Sequence, residues 1–306
     1  MKILVVGAVV IGSVYACKLV DAGHDVTIVA REERLTNLRT FGLVIENAES
    51  GVRSEVAVSA VSAPDPALEY DLVLVSVRSE QLASTLPLLT SMTDGSDVLF
   101  FGNTGGRNAD LVRALGSRAV FGFPAAGGTR DGHLIRYVMI DQQKTLLGEA
   151  GRESSPRARA LKTTFECAGF SVAISPHIDR WLICHAAFVV PIAFALYAHG
   201  TDASRLAADR DSVRAMVRAT RQAFHALQVA GNAEIPTNLK ALYLWMPSVF
   251  AVRYWQKVLR TARGELWFAA HSRAAPEEMR SLANELLAEV RRCSKAAPAL
   301  ELLLAG

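Results

Sequence analysis

Lys2-Ile3-Leu4-Val5-Val6-Gly7-Ala8-Val9-Val10-Ile11-Gly12 is the stretch whose reading decides the fold. Lys2 to Val6 is an apolar, β-branched run of strand length, the pattern of a strand buried on both faces. A glycine turn follows at once. Ser13 to Ala22 then carries helical spacing, with Ile11, Val14, Tyr15, Lys18 and Leu19 at three- and four-residue steps, and Gly23 stops it. His24 to Ala30 reads as a second strand. Together these residues form one βαβ unit of about thirty residues, the opening of a doubly wound α/β domain.

The turn is suited to anions. The first N–H groups of a helix have no partner inside it, and the helix dipole favours negative charge there. A dinucleotide fingerprint has three glycines. Gly7 permits the tight turn and Gly12 permits close helix–strand packing, but the middle position is Val9, where a phosphate would approach the backbone. Gly7, Ala8, Val9, Val10, Ile11 and Gly12 are therefore the candidate pyrophosphate cradle. The alternative is a doubly wound domain without a nucleotide. The end of the second strand separates the two dinucleotides. An NAD site carries an acid there for the ribose 2′-OH. Here Ala30-Arg31 stands at that place, followed by Glu32, Glu33 and Arg34. A guanidinium matches a 2′-phosphate with two parallel hydrogen bonds, so Arg31 favours NADP; a solvated surface arginine is the other reading.

At 306 residues the chain is long for one core. Its 33 basic and 30 acidic residues are nearly balanced, which gives no reason to expect a nucleic-acid partner. Half the residues are apolar, enough for a well-buried globule with an apolar subunit interface and hence a possible homodimer. Cys17, Cys167, Cys184 and Cys293 are scattered and no pair has metal-ligand spacing, so no metal is expected. They suit reduced thiols in a cytoplasmic protein, and no signal peptide is read ahead of the first strand. The most apolar helical run, Ala186 to Tyr197, is expected to be too short for a bilayer, contains Pro191 and is read as a core helix; no membrane is expected.

Strand and helix patterns alternate along the first half. Leu35 to Thr40 is helical; Leu43 to Ile45 and Val52 to Val58 are strand-like, and Pro64 and Pro66 mark a loop. Asp71 to Val77 is a buried strand ending at Arg78, and Asp97 to Phe101 is the next, running into a second glycine turn, Gly102-Asn103-Thr104-Gly105-Gly106. Ala119 to Phe121 and Tyr137 to Ile140 are expected to continue the sheet and Thr145 to Glu149 to close it. A polar segment, Gly151 to Pro156 with Ser154, precedes a last helix and strand. From His177 onward only helical patterns remain. The expected architecture is an α/β Rossmann-type domain over 1–174 and an all-α domain over 175–306, the latter for substrate binding or dimerisation. Ligands of such sheets sit beyond the carboxyl ends of the strands, where Arg31, Arg78 and Asn103 fall.

The arrangement resembles the ketopantoate reductase (2-dehydropantoate 2-reductase) family. The resemblance rests on the opening βαβ with Ala30-Arg31, on Val75-Ser76-Val77-Arg78 and on Gly102-Asn103-Thr104-Gly105. It rests equally on Gly127-Gly128-Thr129-Arg130-Asp131-Gly132 with Leu147-Gly148-Glu149, and on the helix after Arg180-Trp181. It implies NADPH-dependent reduction of a small-molecule 2-oxo acid between a Rossmann domain and a helical domain. It further implies that Asn103 touches cofactor and substrate, that Gly128 lies in a loop bordering the nicotinamide, and that Glu265 stands near the cofactor ribose and substrate. Arg78 takes the place of a usual lysine near the cofactor phosphates.

The departures are on one helix. The family's catalytic lysine falls at Ile183, and its substrate-holding asparagines fall at Ala187 and Pro191. Losing a group that protonates or polarises a carbonyl costs about 10²–10⁴-fold in rate. His185 is a candidate replacement, although it lies about 200° round the helix from residue 183; a core histidine is the other reading. Ile183, Ala187 and Asn103 are expected to line a substrate pocket of apolar character. Three functions remain open: an NADP-dependent reductase of a small to medium carbonyl or imine other than ketopantoate, a non-redox cyclase or isomerase on the same scaffold, and a catalytically silent binding protein.

Overall fold

A computed structural model describes all residues except 66, 93–94, 105, 142, 152–154, 232, 294–295 and 306. Pro66 of the loop, Gly105 of the second glycine turn and Ser154 of the polar segment therefore lie outside the described residues. The chain divides into two compact units, Met1–Ile178 and Asp179–Gly306. The division follows the expected position by four residues, 178 against 174. Ile178 sits so tightly on Gly148 that a Cβ added there would meet it at 2.8 Å.

The first unit is built on an eight-stranded sheet. Its strands are β1 (Lys2–Val6), β2 (Asp25–Val29), β5 (Ser59–Val61), β6 (Leu72–Val75), β7 (Asp97–Phe101), β8 (Ala119–Phe123), β11 (Thr145–Gly148) and β12 (Val172–Ile174), in the order β12-β11-β8-β7-β6-β1-β2-β5. All neighbours run parallel except β11 against β8. Side chains alternate between faces. Ile3 and Val5, Leu72 and Leu74, and Leu99 and Phe101 join one core cluster, while Leu4, Val73 and Phe100 are just as buried in between. Burial on both faces explains why these strands read as unbroken apolar runs.

Connections are made by α1 (Val10–Asp21), α2 (Glu32–Phe41), α3 (Leu82–Ser91), α4 (Asn108–Leu115) and α5 (Pro156–Cys167). Ser155 caps α5, accepting the Ala158 N–H at 3.0 Å, with Pro156 at the first helical position. A second sheet of four strands has the order β4-β3-β10-β9, from β3 (Leu43–Asn47), β4 (Arg53–Val56), β9 (Ala126–Asp131) and β10 (Leu134–Met139).

This second sheet corrects the expectation for Tyr137 to Ile140. These residues do not extend the main sheet: Leu134 to Tyr137 pair with Val44 to Asn47 in the smaller one. The physical reason is α1. Gly12, Ser13, Val14, Tyr15, Ala16, Cys17 and Leu19 are all buried, because α1 packs against β1 and β2 and also against β3, β9 and β10. A helix apolar on every side needs cover on every side. Tyr15 is fully buried, stacked on Phe170 at 4.0 Å and edge-on to Phe101 at 4.6 Å. Its hydroxyl shares a 2.6 Å hydrogen bond with Thr145 Oγ1 and accepts the Ala125 N–H at 3.2 Å. Burial raises its pKa far above the ordinary tyrosine range.

The second unit is helical: α6 (Ile178–Tyr197), α7 (Ala203–Ala208), α8 (Arg210–Val229), α9 (Thr237–Lys240), α10 (Ser248–Leu259), α11 (Ala270–Ala274), α12 (Pro276–Arg292) and α13 (Pro298–Ala305). π-helical turns occupy Ala241–Trp245 and Gly264–Ala269. Asp202 and Asp209 cap α7 and α8, each accepting two backbone N–H groups. The core gathers Val190, Leu196, Met216, Phe224, Trp255 and Leu286. At 20 residues, α6 is long and apolar enough to cross a membrane, which corrects the expectation of a shorter run; most of it is buried instead.

Candidate functional site

The carboxyl ends of β2, β1, β6 and β7 are neighbours in the sheet, and each carries candidate residues. The glycine turn follows β1. Gly7 takes φ +112°, a conformation open to glycine, and a Cβ there would stand 2.9 Å from the Ser76 carbonyl carbon. At Gly12 a Cβ would lie 2.0 Å from the Gly7 oxygen. Ser76, just past β6, donates its hydroxyl to that same oxygen at 2.8 Å. The two glycines are thus required by the turn itself and by Ser76 just past β6, before any ligand is considered.

Val9 is the residue that caps α1. Its φ of −92° is ordinary for a branched residue, its carbonyl accepts the Ser13 N–H at 2.9 Å, and its side chain is 48% exposed. The backbone accommodates valine without strain, and its methyls stand outward at the helix start. Val10 and Ile11 begin α1, half-buried.

Arg31 caps α2 in extended conformation, exposed, with no ion pair among the described residues. The chain turns so sharply after it that Glu32 takes φ +47°, a left-handed conformation costing an L-residue about 1–2 kcal/mol. Helix α2 begins at Glu32 instead of Leu35, which puts Arg34 on its buried face with Leu38. Arg34 was missed as a site residue. It is 7% exposed, and its Nε donates to the Ala8 carbonyl at 2.9 Å and its Nη2 to Ser13 Oγ at 2.9 Å. Burial, with Arg130 nearby, lowers its pKa to about 10, so it is charged at neutral pH. Its one available signal in the sequence is the four-residue step to Leu38.

Arg78 follows β6 and is exposed. Asn103 follows β7 and is half-buried; beside it Gly102 takes φ +142° and buried Thr104 donates to Asn108 at the start of α4. Arg107 Nη1 donates to the Ser79 carbonyl at 2.8 Å and ties this turn to the one after β6. Gly128 is a correction. It lies inside β9, not in a loop, opposite Tyr137, where a Cβ would meet the Arg136 carbonyl oxygen at 2.1 Å. Close passage of β10 accounts for that glycine.

In the second unit, Ile183 is half-buried against the helical core and Ala187 is fully buried within it. An enclosed methyl presents no surface, so Ala187 does not wall a pocket, contrary to expectation; Pro191 is buried one turn further on. His185 stacks on Trp181 with ring centres 5.2 Å apart. Burial, and secondarily His271, lower its pKa to about 3. A neutral imidazole is a weak acid, which weighs against His185 as an imidazolium donor in a lysine's place. Phe188 of α6 meets Phe268 of the second π-helical turn at 6.0 Å. Glu265 lies on that turn, exposed, its carboxylate paired with Arg273 at 2.7 Å. Buried Cys184 is raised to about 12, which keeps it a thiol. Among the described residues no cluster of three or more His, Cys, Asp or Glu could hold a metal ion.

Residues 3–152 match the family described as ketopantoate reductase PanE/ApbA. The chain is 25% identical over 185 residues to the 2-dehydropantoate 2-reductase of Pyrococcus horikoshii, a stretch covering 59% of this chain and 58% of that protein. The chain thus spans less than two thirds of that relative's length. Likeness of fold is more extensive. The PanE/ApbA family ketopantoate reductase of Ralstonia eutropha superposes with a TM-score of 0.77 at 20% identity, over 100% of this chain and 96% of that one. A D-mandelate dehydrogenase in ternary complex with NADH and anilino(oxo)acetate gives 0.78 at 14% identity, over 100% and 96%. The Rossmann-type domain followed by a helical domain, expected from the sequence, is the fold these structures share.

Proposed function

Residues 3–152 form a domain of the ketopantoate reductase PanE/ApbA family, and from that premise we propose that the protein is an NADP-dependent oxidoreductase acting on a small to medium carbonyl or imine compound other than ketopantoate. The observation that carries the cofactor choice is the end of β2. Ala30-Arg31 stands there in place of the acid that would receive a ribose 2′-OH, and Glu32 and Glu33 follow only as the first residues of α2. The fit to a pyrophosphate rests on the cradle at Gly7 and Gly12, which a Cβ would fill, and on the unpaired N–H groups that open α1. In this reading residues 7–12 hold the pyrophosphate, Arg31 the 2′-phosphate, and Arg78 and Asn103 border the same strand ends.

When bound, NADPH supplies hydride to the electrophilic carbon of the substrate. The chain's own groups then have to orient the substrate and manage one proton. Ile183 offers none, and His185 is neutral throughout the physiological range. Asn103 can orient the acceptor atom through its amide. A protonated imine would bring its own proton and needs no lysine, which favours imines within the proposed class. Ile183, the half-buried one of the three departures on α6, offers no polar group to hold the hydroxyl or carboxylate of ketopantoate.

Titration with NADPH and NADH, followed by nucleotide fluorescence, tests the reading. NADPH should bind more tightly, and Arg31→Ala should remove that preference while leaving NADH unchanged. Equal loss for both nucleotides, or no loss, refutes the assignment of Arg31. Ile183 and Val9 favour one alternative, a non-redox enzyme on the same scaffold; turnover of an apolar substrate without any nucleotide would select it.

A further inference from the structure

We infer that Arg34 is a positioning residue for the anion site: its buried charge fixes the glycine turn and supplies the positive field that attracts a diphosphate to the start of α1. This rests on the proposed nucleotide-binding reading.

A guanidinium taken out of water is normally matched by a carboxylate or another anion. Arg34 is 7% exposed and makes no ion pair among the described residues. Its acceptors are all neutral: the Ala8 carbonyl at 2.9 Å, Ser13 Oγ at 2.9 Å and the His133 carbonyl at 3.4 Å. The charge that acts on it is a second cation, Arg130, which lowers its pKa further. A buried guanidinium that a second one repels is costly in the free protein, and an arriving anion relieves that cost.

The contacts are also local to the turn. The Ala8 carbonyl receives both Arg34 Nε and, at 3.3 Å, the Ser13 hydroxyl, which itself accepts from Arg34. Anchoring this carbonyl toward Arg34 fixes the peptide between Ala8 and Val9. Two adjacent features gain from it. Val9 occupies the position at which a glycine would let the backbone meet a phosphate, so its side chain holds a phosphate further from the backbone donors of the turn. A fixed charge behind the turn replaces part of that attraction through field instead of contact.

The test separates charge from hydrogen bonding. Arg34→Lys keeps the charge; Arg34→Gln keeps a donor for the Ala8 carbonyl. Each variant and the wild type are titrated with inorganic pyrophosphate and with NADPH at several salt concentrations, and melting is recorded alongside. The expected result is that Arg34→Gln weakens pyrophosphate about 10- to 100-fold and flattens the dependence of affinity on salt. Arg34→Lys should lose less than about fivefold and keep that dependence. Overturning results are a glutamine variant that binds as well as the lysine variant, or salt dependence unchanged in both, since a purely structural arginine would lower the melting temperature without altering it. Wild type that binds pyrophosphate but not NADPH would sink the nucleotide reading and leave Arg34 supported. Wild type that binds neither overturns both.

Discussion

Replacing Gly12 by alanine should collapse the glycine turn, and the structure gives the size of the effect. The new Cβ would lie 2.0 Å from the Gly7 carbonyl oxygen and 2.4 Å from Ser76 Oγ. Ordinary contact begins near 3.4 Å, so the Gly7 carbonyl or the start of α1 must move by more than an ångström. Neither can move alone. The Gly7 oxygen accepts from Ser76, and α1 is buried without a break from Gly12 through Cys17. Forcing atoms into such a place costs about 3 kcal/mol or more. For a unit of this size that corresponds to a fall in melting temperature of about 6–12 °C. The assay is thermal unfolding of Gly12→Ala and of Gly12→Ala with Ser76→Ala. Removing the serine hydroxyl relieves the 2.4 Å contact but not the shorter one to backbone, so the double variant should remain destabilised. Full recovery in the double variant would show that the hydroxyl alone enforces glycine, and the backbone argument would fall.

Val9→Gly should tighten NADPH binding, read by fluorescence titration, because the valine side chain stands 48% exposed at the helix start; unchanged affinity would mean the methyls are no obstacle. Tyr15→Phe should cost about 1–3 kcal/mol in denaturant melts, since it strands the buried Thr145 hydroxyl and the Ala125 N–H; a neutral effect would show that these groups find other partners. His185 has a folded pKa lowered to about 3, so the unfolded chain binds its proton more readily. Its stabilising contribution is present above about pH 6.5 and is lost as pH falls toward 3. His185→Phe should flatten urea midpoints across that window, and an unaltered slope would refute the shift.

Local chemistry made the first βαβ unit legible. Glycine spacing, β-branched runs and a helix-stopping glycine all act within a few residues of themselves, and β1, α1 and β2 form where those signals stand. The second sheet was not legible, because Val44 to Asn47 pair with Leu134 to Tyr137 across some ninety residues, and each strand alone looks like a member of the main sheet. Gly128 illustrates the same limit. A glycine-rich run suggests a loop, whereas this one is a strand whose neighbour passes too close for a Cβ. At the candidate site, the position of Arg31 at the end of β2 was legible from the strand pattern before it. Arg34 was not, since a charged residue in a polar helix start gives no hint that a turn twenty-six residues earlier encloses it.

Helix α1 lies between two sheets, and that position determines how the first unit can come apart. An outer helix can detach briefly while the rest of a domain stays folded, and its amides exchange with solvent through such openings. To free α1, contacts with both sheets must break together. Its backbone hydrogens, from Val14 through Leu19, should therefore be among the slowest in the unit to exchange, released only when the unit unfolds as a whole. The turn that starts this helix inherits the same protection, so a ligand bound there would meet a receptor already formed before it arrives.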